Sequence, residues 1–326
     1  MSKEIVLIMG YPCSGKSTVV KGYVQDGYVR LNRDDAGGSL DQLNVVLEER
    51  IKAGYSTKFV LDNTYGKKDQ RAAVIDIAKR HGFDVVCVWM QTSIEDAQFN
   101  SSWRILNEFP DAEPNVILGP SGSKKYPSTD NVPAIALFAY KKALEKPTKE
   151  EGLKAIIKQP FERKMPSEYV NKALLLDYDG TLRTTDNPLK YPVTPDEISI
   201  LPNRSETLQH YKDAGYLLLG VSNQSGVEKG EISAEAVKEC FDRTNELLGH
   251  NIDYQYCPHH SFPIRCYCRK PLFGLGVYFV LKYKLNPSQC IVVGDQKTDQ
   301  TFSERGGMQF QWAKDFFNDK TTEGNK

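Results

Sequence analysis

Along the chain, short apolar runs alternate with stretches of helical periodicity, and the alternation occurs twice. Ile5-Val6-Leu7-Ile8-Met9 is continuously apolar and stops at Gly10, as a strand buried on both faces of a parallel sheet does. A helix is predicted from Lys16. Further apolar runs at Phe59-Val60-Leu61 and Val85-Val86-Cys87-Val88-Trp89 alternate with helical patterns near residues 40–53, 67–81 and 93–106. That order predicts βαβ units. Between Pro110 and Pro133 the periodicity gives way to Pro, Gly, Ser, Asn and Asp around Lys124-Lys125, which predicts a loop or lid. A helix near 134–146 and a strand at Ala155-Ile156-Ile157 complete the first round. Lys164-Met165-Pro166-Ser167 then precedes a new buried run, Ala173-Leu174-Leu175-Leu176, with later strands expected at Tyr216 to Val221 and Cys290 to Val293. The pattern predicts an α/β chain of two doubly wound parallel-sheet domains, residues 1–164 and 165–326, with a frayed polar tail over 320–326.

Length agrees, because 326 residues exceed one ordinary core and suit two domains of about 150 residues. Charge narrows the function: 42 basic against 42 acidic residues give a formal net charge of zero, which removes a strongly basic nucleic-acid footprint. An enzyme gripping only a strand end needs few phosphate contacts, so any substrate must be argued from the sites. No stretch approaches the roughly 20 apolar residues of a membrane span. The N-terminus lacks the pattern of a secretory signal, and three of the seven cysteines fall within twelve residues beside two histidines. A soluble, reducing compartment, cytoplasmic or nuclear, is expected.

Gly10-Tyr11-Pro12-Cys13-Ser14-Gly15-Lys16-Ser17-Thr18 matches G-x-x-x-x-G-K-[ST] between a strand and a helix. Gly10, Ser14 and Gly15 form a turn whose backbone N–H groups can converge on ATP phosphates at a helix N-terminus, with Thr18 in the first helical turn. Lys16 neutralises the outer phosphate oxygens and Ser17 offers a hydroxyl to Mg²⁺. At the end of the next short strand, Leu31-Asn32-Arg33-Asp34-Asp35 supplies carboxylates that either take a proton from a phosphoryl acceptor or cap the following helix.

Gly27-Tyr28-Val29-Arg30-Leu31-Asn32-Arg33-Asp34, Leu61-Asp62-Asn63-Thr64, and Glu95-Asp96-Ala97 with Asn100 and Trp103-Arg104 resemble the kinase domain of polynucleotide kinase-phosphatases. The resemblance extends through Val132-Pro133 and the 145–153 segment, over most of residues 4–163. It implies Asp34 as general base for a 5′-hydroxyl and Arg104 as a clamp on the ATP phosphates. Where the phage members carry an acceptor-binding arginine, this chain has Asp35-Ala36-Gly37-Gly38, which leaves the acceptor open.

In the second half, Leu174-Leu175-Leu176-Asp177-Tyr178-Asp179-Gly180-Thr181 sets two carboxylates at the C-terminal end of a buried strand, where open α/β sheets bind ligands. Asp177 can attack phosphorus and Asp179 can protonate the leaving oxygen, given Mg²⁺ to offset the charge. Ser222 and Asn223, Arg269 and Lys270, then Asp295 and Asp299, follow in an order that supplies phosphate and substrate contacts and metal carboxylates. This order resembles the haloacid-dehalogenase superfamily over residues 172–313. The resemblance implies Asp177 as nucleophile, Asp179 as acid/base, and Ser222 and Lys270 as phosphate stabilisers. Asp295 and Asp299, beside Asp177 and Asp179, are expected at the magnesium site.

Cys257-Pro258-His259-His260 followed by Cys266-Tyr267-Cys268 offers three thiolates and an imidazole, a closed zinc shell. The segment, with Arg269-Lys270-Pro271 directly after it, resembles the zinc loop of histidinol-phosphate and heptose-bisphosphate phosphatases, and that resemblance selects His259 as the ligand. The two halves thus point to different partners. A DNA or RNA end fits the kinase resemblance, and a small phosphate ester fits the zinc loop.

Overall fold

The computed structural model describes residues 3–33, 35, 38–128 and 131–318. The chain divides into two compact units, one of Met1–Asn100 with Ile135–Arg163 and the other of Ser101–Ala134 with Lys164–Lys326. In the first unit the order is β1 (Glu4–Met9), α1 (Lys16–Gln25), β2 (Val29–Asn32), α2 (Leu40–Lys52), β3 (Lys58–Asp62), α3 (Lys68–His81) and β4 (Asp84–Met90). α4 (Ile94–Glu108) leads out of it, α5 (Pro114–Ile117) and α6 (Gly122–Lys125) follow, and α7 (Ala134–Ala143) and β5 (Ala155–Gln159) return to it.

The five strands pair in parallel in the order β2-β3-β1-β4-β5, which puts the P-loop strand in the middle. Ile5, Leu7 and Met9 pack with Leu31, Phe59, Leu61 and the inner side of α3, while Val6 and Ile8 pack on the opposite face with Val20 and Val60. Both faces of β1 are therefore buried, and its unbroken apolar run follows from that.

The second unit contains β6 (Ala173–Leu176), β7 (Arg183–Thr184), β8 (Ser199–Ile200), α8 (Arg204–Asp213), β9 (Leu217–Asn223), α9 (Ala234–Leu248) and β10 (Asp253–Cys257). α10 (Gly274–Tyr283), β11 (Ile291–Gly294), α11 (Lys297–Gly306), β12 (Gln309–Trp312) and α12 (Ala313–Phe316) complete it. Its parallel sheet runs β10-β9-β6-β11-β12. Leu174, Leu176, Val293 and Phe241 lie in its core.

The segment 101–134, expected within the first domain, groups with the second unit. Tyr267, between Cys266 and Cys268, donates its N–H to Leu118 O at 2.8 Å and its hydroxyl to Val132 O at 2.7 Å. Gly119 is required where this segment passes the 257–268 loop, since a Cβ there would lie 2.8 Å from Asn115 O and 2.9 Å from His259 Nε2. Two short helices, α5 and α6, thus stand where the sequence predicted only a loop.

Candidate active sites

The first site forms where β1 ends. Gly15 is left-handed at φ +86° and opens α1, and a Cβ on Gly10 would lie 2.8 Å from both Met90 Cβ and Ser14 Oγ, so the turn admits only glycine at both places. Lys16 Nζ folds back over the loop and donates to Tyr11 O at 2.6 Å and Gly10 O at 3.3 Å. The loop is braced from beside β4: Thr92 Oγ1 donates to Ser14 O at 2.8 Å and Asn100 Nδ2 to Cys13 O at 2.9 Å. Ser14 is buried and its hydroxyl has no partner among the described residues. Ser17 and Thr18 are exposed at the start of α1. The loop's amides, Lys16 and these hydroxyls form a cradle that suits a nucleotide triphosphate.

Asp34 lies outside the described residues. Its neighbour Asp35 is exposed and pairs with Arg30 at 3.2 Å. Arg104 is exposed on α4. Asp62, for which the sequence suggested no role, is 5% exposed at the end of β3, opposite Ile8 in register. It accepts from Arg30 Nε at 3.1 Å and Nη2 at 2.8 Å. A carboxylate ending the strand beside the P-loop strand is a feature with which P-loop enzymes hold nucleotide-bound Mg²⁺. The signal was an acid closing the apolar run Phe59-Val60-Leu61.

The second site collects at the C-terminal ends of three neighbouring strands, β9, β6 and β11. Asp177 extends the central strand, its N–H bonding Val293 O at 3.0 Å, and Lys270 Nζ reaches Asp177 Oδ1 at 2.7 Å, Asp299 Oδ1 at 2.7 Å and Val221 O at 2.8 Å. Burial pushes Asp177 up to about 7, with Lys270 opposing the rise and Asp299 adding to it. Burial works against the charge on Lys270, but Asp177 and Asp299 outweigh it and hold the ammonium above the usual lysine range. Burial also raises Asp295, and Asp299 adds to the rise.

Asp177, Asp295 and Asp299 bring carboxylate oxygens within 4.8 Å of one another. Three acids against one ammonium leave uncompensated negative charge, and the all-oxygen donor set suits Mg²⁺. Glycines make the room: a Cβ on Gly180 would lie 2.5 Å from Asp295 Oδ2, and one on Gly294 2.4 Å from Asp299 Cβ.

Asp179, expected at the metal, does not join these carboxylates. Its oxygens are held instead by Arg183 Nε at 2.8 Å and Gln224 Nε2 at 2.7 Å. Asn223, expected on substrate, gives both ends of its amide to the main chain of Lys270, at 3.0 Å to the N–H and 3.1 Å to the carbonyl. Arg269 Nη1 donates to His259 O at 3.1 Å, and Ser222 Oγ, buried, accepts from Gln224 at 3.0 Å. Lys270 is therefore aimed by its backbone neighbours as well as by its acids.

Cys257, His259, Cys266 and Cys268 converge with all four ligand atoms within 4.8 Å. Cys257 Sγ stands 3.8 Å from Cys266 Sγ and 3.4 Å from His259 Nδ1, which is 3.1 Å from Cys268 Sγ. A tetrahedron with zinc–sulfur bonds of about 2.3 Å has sulfur–sulfur edges of about 3.8 Å, so the donor set fits zinc. Burial pushes the thiols of Cys257 and Cys268 up, so a cation is what would make all the sulfurs thiolates together.

The fold and its two sites define a P-loop phosphotransferase unit joined to a haloacid-dehalogenase-type phosphatase. Residues 5–111 match a family profile described as an AAA domain. A probable D-glycero-D-manno-heptose-1,7-bisphosphate 7-phosphatase of Thermoplasma volcanium is 35% identical over 145 residues, 43% of this chain and 97% of that protein. The chain belongs, over that stretch, to the family of heptose-bisphosphate phosphatases. A bifunctional polynucleotide phosphatase/kinase of Schizosaccharomyces pombe is 28% identical over 161 residues, 49% of this chain and 34% of that protein. A solved structure of a Pnkp1/Rnl/Hen1 complex aligns over 95% of this chain and 96% of that chain, at 14% identity and a TM-score of 0.33. The chain is an enzyme combining phosphotransferase and phosphomonoesterase chemistry. No helix among the described residues is long and apolar enough to cross a membrane.

Proposed function

We propose that the chain processes nucleic-acid ends, phosphorylating a 5′-hydroxyl from ATP and removing a 3′-phosphate through an aspartyl-phosphate. The observation that carries this reading is a P-loop cradle on the same chain as the Asp177–Lys270 centre, together with the likeness to a bifunctional polynucleotide phosphatase/kinase. In the kinase unit the P-loop amides and Lys16 would hold the ATP phosphates, and Asp34 would take the acceptor's proton. In the phosphatase unit Asp177 attacks phosphorus, Asp179 protonates the leaving oxygen, and Lys270 with Ser222 stabilises the transferred phosphoryl. Asp177 and Asp295 would hold Mg²⁺, which supplies charge compensation for an anionic nucleophile meeting an anionic phosphate. Asp299 would support that site by orienting Lys270. Zinc on Cys257, His259, Cys266 and Cys268 would fix the loop that presents Lys270.

A specific observation favours a second reading, a small-molecule kinase fused to a sugar-phosphate phosphatase. The heptose-bisphosphate phosphatase relative is matched over almost its whole length. Transfer of labelled phosphate from ATP to 5′-hydroxyl DNA and RNA, with Asp34→Ala as control, tests the first reading. It should be run beside release of phosphate from 3′-phosphorylated oligonucleotides and from heptose 1,7-bisphosphate. No transfer to either nucleic acid, with a large preference for the sugar ester, would replace it with the second.

A further inference from the structure

Arg183 is 1% exposed, four residues beyond Asp179, and the steps above do not use it. Burying a guanidinium is unfavourable unless its N–H groups and charge find partners. Here Nη1 donates to Cys240 O at 2.8 Å and to Thr244 Oγ1 at 2.9 Å, both on α9. The guanidinium carbon stands 5.3 Å from the ring centre of Tyr178 and 4.9 Å from that of Phe241, both within cation–π reach. With that end anchored, Nε points at Asp179 Oδ1 from 2.8 Å. On the opposite side Gln224, itself 4% exposed, holds Asp179 Oδ2 at 2.7 Å.

The torsion that turns an aspartate carboxyl is broad and weakly preferred, so its plane is set by its partners. Two rigid donors, one on each oxygen, set it here. We propose that Arg183 is a positioning residue for the leaving-group step, holding the Asp179 carboxyl in the plane from which its proton reaches the departing oxygen. The inference rests on the reading of Asp177 as nucleophile and Asp179 as acid. In that step an Asp177 oxygen bonds to phosphorus while the bond from phosphorus to the leaving oxygen breaks. The electron pair stays on the leaving oxygen, which takes the proton of Asp179 and leaves a carboxylate beside the guanidinium. In the second step water attacks the same phosphorus, Asp179 receives its proton, and Asp177 departs as a carboxylate.

Misplacing Asp179 should matter in proportion to how much the leaving group needs a proton. A nitrophenolate departs without one, whereas an alkoxide does not. The test measures kcat/KM, which reports through the step in which the leaving group departs, on the full chain. One substrate is p-nitrophenyl phosphate. The other is an alkyl ester, whichever of a 3′-phosphorylated oligonucleotide and heptose 1,7-bisphosphate is hydrolysed faster.

For Arg183→Met the expected loss is about 10²-fold on the alkyl ester and less than about threefold on the aryl ester, the range general-acid catalysis spans. Arg183→Lys, which keeps the charge but cannot bond α9 and Asp179 together, should fall between. It carries the comparison if the methionine variant does not fold. Equal losses on both esters would overturn the proposal and leave Arg183 as a tie between the turn and α9. Asp179→Asn separates the two levels. A selective alkyl loss there with an unselective loss in the arginine variants defeats the positioning role alone. An unselective loss in Asp179→Asn defeats the underlying assignment.

Discussion

Replacing Lys270 by Met keeps the length of the side chain and deletes its charge, which makes it the sharpest perturbation of the second site. Its ammonium meets two carboxylate oxygens at 2.7 Å each with the side chain 4% exposed. At an effective dielectric of about 20 each contact is worth roughly 6 kcal/mol of Coulomb energy, so the bare loss would be large. Relaxation limits it, because Asp177 already sits at about 7 and takes a proton when the lysine leaves. A destabilisation of about 3 kcal/mol is therefore expected, at the lower end for breaking a buried pair. For a unit of this size that is a fall in Tm of roughly 6–12 °C.

Activity should suffer more than stability. Protonation removes the nucleophile, and loss of a preorganised cation costs a further ~10²–10³ in rate. Phosphate release by Lys270→Met should thus fall at least ~10³-fold while ATP-dependent transfer by the same preparation is kept. Asp299→Asn should lose about tenfold, since Lys270 keeps Asp177. On the proposed reading Asp299 works by orienting Lys270, so the double variant should be no worse than Lys270→Met alone. Retention of a tenth of wild-type phosphatase activity by Lys270→Met would refute the reasoning, as would additive losses in the pair.

Metal content gives a second check: atomic emission should find one zinc per chain, and Cys266→Ser should abolish it and the phosphatase together, with zinc-free wild type equally inactive. Gly294→Ala would drive a methyl to 2.4 Å from Asp299 Cβ, so phosphatase kcat/KM should drop at least tenfold with a destabilisation of about 1–3 kcal/mol, read by thermal melting. In the kinase unit, fully buried Arg71 holds Glu151 through two bonds of 2.8 Å, and Glu151→Gln should cost about 3–5 kcal/mol at neutral pH in denaturant titrations. Burial pushes the Glu151 carboxyl up, but the Arg71 hydrogen bonds outweigh it and the carboxyl lies below its usual range. That stabilisation is present above the unfolded value of about 4.3 and lost as pH falls through the lower folded value, so the gap between variant and wild type should close in acid. A pH-independent gap would contradict the ion pair.

What the sequence disclosed depended on whether a feature is local. The P-loop is a nine-residue motif whose glycines, lysine and hydroxyls are contiguous, and β1 and β6 are apolar on both faces, so both read directly from the chain. β10 and β12 did not, because they are the edge strands: Asp-Tyr-Gln-Tyr-Cys and Gln-Phe-Gln-Trp mix polar and aromatic residues, being buried only in part. The loop assigned to 110–133 hid its order for a similar reason. It is held by carbonyls of Leu118 and Val132 receiving Tyr267, and main-chain acceptors leave no mark in a sequence.

The same distinction sorts the site residues. Asp177 follows β6 and Asp295 and Asp299 follow β11, two apolar runs far apart in the chain, and the adjacency of those strands brings the three acids together. Asp179 shares a segment with Asp177 and was therefore expected to share its metal. In a strand-like stretch, however, residues two apart point the same way only while the strand continues. Here the chain turns at once: the N–H groups of Thr181, Leu182 and Arg183 all bond back to Tyr178 O, and the turn carries Asp179 to Arg183 and Gln224. Spacing placed two carboxylates at one rim, and the turn after the strand divided their surroundings, giving Asp177 the lysine and the acids and giving Asp179 the arginine anchored on α9.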